Sequence, residues 1–262
     1  CLWKSRGIGF VLLYDRTGNK KGKKPAKSGG MDFMKAIHIC AGVFCALALL
    51  LVLLITSIEI AVYADMGYFQ KEYKKYNVLE KVHMQEKDLL FVTEQMMSYL
   101  KGNRQDLYIE TNIDEEKKEF FNEKEKAHME DVRTLFLGGQ LFRKIGIAVC
   151  LLMGVFFVWK KKQNLLLQVI RASMICFVGV VAITAFIISP NFSKYFTLFH
   201  KMFFSNNLWI LNPQTDRLIN IVPEPFFIDT SIRIGLIFGS MIIGVCIICS
   251  VLLKVGKKKT GV

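Results

Sequence analysis

The 262-residue chain is 52% apolar and carries a formal net charge of +13, with a mean hydropathy of +0.34. So apolar a composition at this length excludes an ordinary soluble domain and places the chain among membrane proteins. Nucleic acid is not the expected partner of the positive charge. The lysines gather at Lys20, Lys21, Lys23, Lys24 and Lys27, at Lys160–Lys162 and at Lys257–Lys259, each group near an apolar run, and no basic and aromatic stripe forms a groove-reading module.

Residues 1–36 read as a basic cytoplasmic segment. The sequence opens on Cys1, and Met31 followed by Asp32, Phe33, Met34 and Lys35 resembles a natural start, so residues 1–30 are expected to be an upstream extension. Residues 37–64 form the first run long and apolar enough to cross a bilayer core of roughly 30 Å. Its apolar core is too long for a cleaved signal peptide. Glu59 lies in its outer third. An ionisable group there is either functional or paired with Arg143, Lys144 or Arg233.

Residues 65–140 are polar and read as mostly helical. Val82 to Leu100 carries apolar residues near helical spacing, Lys101 to Arg104 reads as a turn, and Asn122 with Glu123 and Glu125 marks a second helix start. The second span is expected at 141–159, a short basic loop at 160–165, and the third span at 166–188. Ser189 and Pro190 stop it. The segment 189–233 then opens with a short aromatic helix, Phe192 to Phe204, suited to the membrane interface. The fourth span follows at 234–253, and a basic tail at 254–262. The fold class is therefore an α-helical integral membrane protein, four transmembrane helices with a mainly helical extracellular cap.

Lys35, Lys160–Lys162 and Lys254 with Lys257–Lys259 fall on one side only if both termini are cytoplasmic, which puts 65–140 and 189–233 outside. Six cysteines lie within apolar runs as packing residues, and the polar segments after the first span contain none, so no disulfide is expected there.

The chemistry narrows to histidine. His38 and His83 read as flank and surface residues. His128 has Asp131 three residues on, on the same helix face, where a carboxylate can orient an imidazole. His200 stands among Phe192, Tyr195, Phe196, Phe199, Phe203 and Phe204, an odd place for a titratable ring used only in packing. Both fall close to span ends on the outer side, where two imidazoles can do acid–base work on a lipid ester. No nucleophile elbow or serine–lysine dyad is present. The polar segments offer no further histidine or cysteine in a ligand spacing, so neither metal nor other cofactor is expected.

Two blocks carry a family resemblance. Phe121-Asn122-Glu123-Lys124-Glu125-Lys126-Ala127-His128-Met129-Glu130-Asp131-Val132 is similar to the F-N-E-x-E-x-x-H-M-x-D-V signature of the bacterial lipoprotein intramolecular transacylases. Phe199-His200-Lys201-Met202-Phe203-Phe204-Ser205-Asn206-Asn207-Leu208-Trp209 resembles that family's F-H-x-x-F-F-x-N-D-x-W, with Asn207 in place of aspartate. The likeness runs from about Met31 to Lys254.

The resemblance implies an acyltransferase of the bacterial plasma membrane. It would move the sn-2 acyl chain of a diacylglyceryl-modified lipoprotein to the α-amino group of that lipoprotein's N-terminal cysteine, giving the lyso form. The partners implied are that lipoprotein and membrane lipid, with the enzyme as a monomer. His128 and His200 would be catalytic, with no acyl-enzyme; Asp131 would steer His128 and Asn206 would support the oxyanion. Tyr195, Phe196, Phe199, Phe203, Phe204 and Trp209 would wall a water-poor pocket. The competing readings are a histidine-dependent membrane lipid hydrolase and a non-enzymatic scaffold or sensor.

Overall fold

A computed structural model describes residues 29–260, with side chains for 33–256. Residues 1–28, and with them the expectation about the native start, lie outside the described residues. The chain divides into a short unit ending at His38 and the unit Ile39–Val262, which carries both histidines of interest, His128 and His200.

Among the described residues four long helices dominate. They are α1 (Gly29–Tyr63), α5 (Glu123–Trp159), α6 (Gln163–Ile188) and α9 (Glu224–Thr260), and each contains a stretch long and apolar enough to cross a membrane. Between α1 and α5 lie α2 (Met66–Lys75), α3 (Val78–Val82), α4 (Glu86–Lys101) and the strands β1 (Glu110–Ile113) and β2 (Glu116–Glu119). Between α6 and α9 come a 3₁₀ turn at Ser189–Asn191, α7 (Phe192–Phe203) and α8 (Leu218–Ile221).

Two cores result. In the membrane layer Cys45, Ala46, Leu50, Phe157, Ile170, Met174, Phe238 and Ile242 are buried together, and Cys150 Sγ lies 3.8 Å from the Cys45 carbonyl. The remaining apolar surface of these helices is bare, including Leu151, Leu152, Val155, Phe186 and Leu236, as a lipid-facing surface must be. Gly146 allows α5 to approach α1 closely: a Cβ there would stand 2.7 Å from Val52 Cγ2.

The second core builds the head. Phe69, Tyr73 and Phe226 stack, with ring centroids 5.7–6.4 Å apart, beside Leu89, Val92, Phe120, Phe121 and Ile221. Aromatic rings bury large areas per residue, which is how a segment poor in aliphatics still makes a packed domain. Leu218, Ile221 and Phe226 come from the later segment, so the two polar stretches form one head rather than two loops.

The structure departs from the sequence expectation in three places. Residues 82–100 are not one helix: His83, left-handed at φ 51°, ends α3, and α4 starts at Glu86. Residues 110–119 form an antiparallel hairpin whose two-residue loop, Asp114 and Glu115, has positive φ at both positions. That is the geometry a type I′ turn demands. Finally, the helices overrun their apolar stretches: α5 starts 18 residues before Leu141, and α9 starts at Glu224, ahead of Ile234. At 1.5 Å per residue α5 is ~55 Å long, so about half of it stands in the head.

Glu59 pairs with Arg143, joining α1 to α5. Arg171 reaches Ser250 Oγ at 3.4 Å.

Candidate functional site

The site begins with the start of α5. Asn122 caps the helix by accepting from Glu125 N at 2.9 Å, while Glu125 accepts in return from Asn122 N at 2.7 Å. Glu125 is fully buried, and its other carboxylate oxygen accepts from Leu218 N. Burial pushes its carboxyl pKa up, and Asp216 adds to the rise against the two backbone donors and Arg217. Asp216, also buried, accepts from Asn122 Nδ2 at 2.9 Å, Asn212 N at 2.8 Å and Thr215 Oγ1 at 3.0 Å. Burial alone would raise its pKa; these donors and Lys124 outweigh it and hold the carboxyl low. Arg217 reaches the Phe120 carbonyl at 3.0 Å. The first turn of α5 is thereby bolted to residues 210–218.

One turn further along α5 is His128; the bolted loop leads back to α7 and His200. The two imidazoles, 72 positions apart in the chain, have ring centroids 6.2 Å apart. They are 7% and 8% exposed, respectively. Phe204 lies against both, at 5.3 Å from His128 and 5.6 Å from His200. Around His200 stand Phe196 at 4.4 Å, Trp209 at 5.0 Å and Phe199 at 5.5 Å. Tyr195 and Phe203 make no ring contact with either histidine; Phe203 packs on Phe199 at 4.7 Å. Phe227, at the start of α9, backs Phe196 at 5.0 Å.

The two rings differ in their bonding. His200 Nδ1 lies 2.8 Å from the Phe196 carbonyl. A carbonyl only accepts, so Nδ1 carries the proton and Nε2 keeps its lone pair. His128 Nδ1 is buried with no partner among the described residues. Burial lowers the pKa of His128 to about 4, helped by repulsion from His200 and Lys124 and opposed by Asp131. Burial also lowers His200, against the support its charged form draws from the Phe196 carbonyl.

Asp131 acts on His128 through its field, since its carboxylate is bonded elsewhere: Asn206 Nδ2 donates to Asp131 Oδ2 at 2.8 Å. Asn206 is a hub. Its side-chain oxygen accepts from Leu208 N at 3.1 Å, and its carbonyl accepts from Trp209 Nε1 at 3.0 Å. One N–H of its amide stays available. Among the described residues no three His, Cys, Asp or Glu side chains group as a metal would require.

Sequence reading missed the structural weight of Glu125 and Asp216. The N-x-x-E spacing from Asn122 signals the capping box, yet nothing local signals that the same carboxylate reaches Leu218, 93 residues away.

The chain is similar to known proteins over most of its length. A family model described as lipoprotein intramolecular transacylase Lit matches residues 43–227. Solved structures of the membrane integral lipoprotein intramolecular transacylase Lit from Bacillus cereus share its fold. One has a TM-score of 0.67 at 21% identity and covers 87% of this chain and 99% of that one. A form with one histidine changed to arginine gives 0.67 at 21%, covering 89% and 97%. A form with a histidine changed to alanine gives 0.66 at 21%, covering 88% and 98%. No curated protein matches the chain significantly.

Proposed function

Since the chain belongs to the Lit family of lipoprotein intramolecular transacylases and is therefore a membrane acyltransferase acting on lipoproteins, we propose that His128 and His200 together carry its proton transfers. The observation that supports this most is their meeting, from two separate helices, at 6.2 Å in an aromatic recess.

In the proposed reaction the substrate is a diacylglyceryl lipoprotein with a free N-terminal cysteine amine. The neutral amine attacks the sn-2 ester carbonyl, and the C–N bond forms as the carbonyl π electrons move to oxygen. His200 Nε2, the lone pair left free by the Nδ1 bond to Phe196, takes the amine proton. Collapse breaks the bond to the glyceryl oxygen, which receives that same proton from the imidazolium. His128, kept neutral by burial, donates an N–H to the oxygen developing charge. The reaction is an isomerisation, so no proton, water or acyl-enzyme is left over.

The free N–H of Asn206 shares the oxyanion load, and Asp131 holds Asn206. Phe196, Phe199, Phe204 and Trp209 exclude water, favouring aminolysis over hydrolysis, while Tyr195 and Phe203 extend the apolar wall. Holding amine and ester in one recess supplies effective molarity, worth up to roughly 7–11 kcal/mol. The orientation goes with this chemistry: both termini cytoplasmic, the head and the histidine pair on the outer face of the plasma membrane, the enzyme a monomer without cofactor.

The test is expression of parent, His128→Ala and His200→Ala in a host with diacylglyceryl lipoproteins, followed by mass spectrometry of N-terminal lipopeptides. The parent yields the N-acyl lyso form and neither variant does. Full conversion by a variant removes that histidine from the mechanism; release of free fatty acid by the parent would favour a lipid hydrolase.

A further inference from the structure

A second polar cleft lies well away from the imidazoles. Glu59, Tyr63, Lys101, Asn103, Gln140 and Arg143 line a space of about 260 Å³ between the end of α1, the end of α4 and α5. Arg143 follows His128 by fifteen residues on one continuous helix, which separates the two places by ~22 Å.

Its groups are incompletely used. Arg143 Nη1 pairs with Glu59 Oε2, leaving the other guanidinium N–H groups. Lys101 sits 4.5 Å over the Tyr63 ring, with no carboxylate partner among the described residues. The Tyr63 hydroxyl and Glu59 Oε1 are buried without a hydrogen-bond partner. Such atoms are costly unless something satisfies them. The cleft therefore offers two cations and a hydroxyl to an anion, and one carboxylate oxygen to a donor. Gly102 fixes the geometry: its left-handed φ of 86° ends α4 and leaves Lys101 over the cleft, and a Cβ there would meet Leu137 Cδ2 at 3.0 Å.

The depth is informative. Glu59 and Tyr63 are in the last two turns of α1, and Arg143 lies two residues into the apolar stretch of α5. Ile60, Leu141 and Phe142 beside them are exposed, ready for acyl chains. This is the level at which a bilayer presents phosphates.

We propose that this cleft binds the headgroup of a membrane glycerophospholipid whose substituent carries a hydrogen-bond donor, such as ethanolamine or glycerol. Arg143, Lys101 and the Tyr63 hydroxyl take the phosphodiester, and the substituent's donor meets Glu59 Oε1. The volume, roughly eight or nine waters at about 30 Å³ each, accommodates such a group. The site is independent of the histidine chemistry and would clamp α1, α4 and α5 at the membrane surface.

The full chain, purified in detergent and stripped of lipid, is titrated by native mass spectrometry with phosphatidylethanolamine, phosphatidylglycerol, phosphatidylcholine, diacylglycerol and inorganic phosphate. Phosphatidylethanolamine and phosphatidylglycerol should bind roughly tenfold or more tighter than phosphatidylcholine or diacylglycerol, and inorganic phosphate should not displace them. Lys101→Gln with Tyr63→Phe keeps the Glu59–Arg143 pair, so the head should stay folded, and it should lose roughly tenfold in lipid affinity with transacylation of a soluble lipopeptide intact. Equal binding of diacylglycerol or phosphatidylcholine, displacement by inorganic phosphate, or undiminished binding by the double variant would overturn the proposal.

Discussion

His128 shows what the fold does to a single side chain. Its pKa stands at about 4 instead of 6.5 because burial and the neighbouring imidazole both disfavour the charge. The unfolded chain therefore binds a proton that the folded chain refuses. Stability from this group is fully present above pH 6.5 and is lost as pH falls towards 4, by up to about 3 kcal/mol at 1.4 kcal/mol per unit. Thermal melts of the detergent-solubilised protein should drop across that window, and His128→Phe should flatten the drop. An unchanged slope in the variant would assign the acid sensitivity elsewhere. The sequence singles out both histidines, His200 because a titratable ring is out of place among so many phenylalanines and His128 for Asp131 three residues on, and the structure brings the two rings within 6.2 Å. The partner of Asp131 was not. The i,i+3 spacing suggested His128, whereas the donor that Asp131 bonds is Asn206, and such a contact across 75 residues has no local signature.

At the scale of elements, the start of α5 is the part that aligns the pair. Glu125 accepts backbone N–H groups from two segments that are far apart in the chain. Glu125→Ala would orphan both, at about 1–3 kcal/mol each, and would let the 210–218 loop drift from α5. A lower melting temperature together with a lower turnover is expected; normal turnover despite lost stability would show that the bolt does not set histidine geometry. Within the membrane layer, Gly146→Val should force α5 off Val52 at a cost of about 1–3 kcal/mol, read as a lower melting temperature. The four spans, the α5 start and α7 were readable from apolar length, the Asn122 cap with its acidic turn, and the aromatic run. The hairpin was not, because the second strand, Glu116–Glu119, is charged throughout and the loop is Asp114-Glu115 instead of Asn-Gly, which leaves the alternation of Glu110–Ile113 without a partner signal. Its side chains answer to the head core through Ile113 and Thr111.

For the whole molecule, the charge distribution of the flanks predicts the side on which the head stands. On intact cells a membrane-impermeant maleimide should label Lys117→Cys in the head, and Lys162→Cys between α5 and α6 only after permeabilisation; the reverse pattern would invert the topology. What composition could not reveal is that the two polar stretches share one core, since that depends on Phe226 and Ile221 reaching Phe69 and Tyr73. That shared core is also what brings α7 beside α5. In the proposed reaction the two imidazoles work as one unit on a single substrate. Purified parent, His128→Ala, His200→Ala and the double variant, each given a synthetic diacylglyceryl lipopeptide, can be compared by the rate of N-acyl product formation. Each single substitution should remove most of the rate, roughly 10²-fold or more, and the double should lose little beyond either one. Losses that simply multiply, or a single variant at the parental rate, would contradict it.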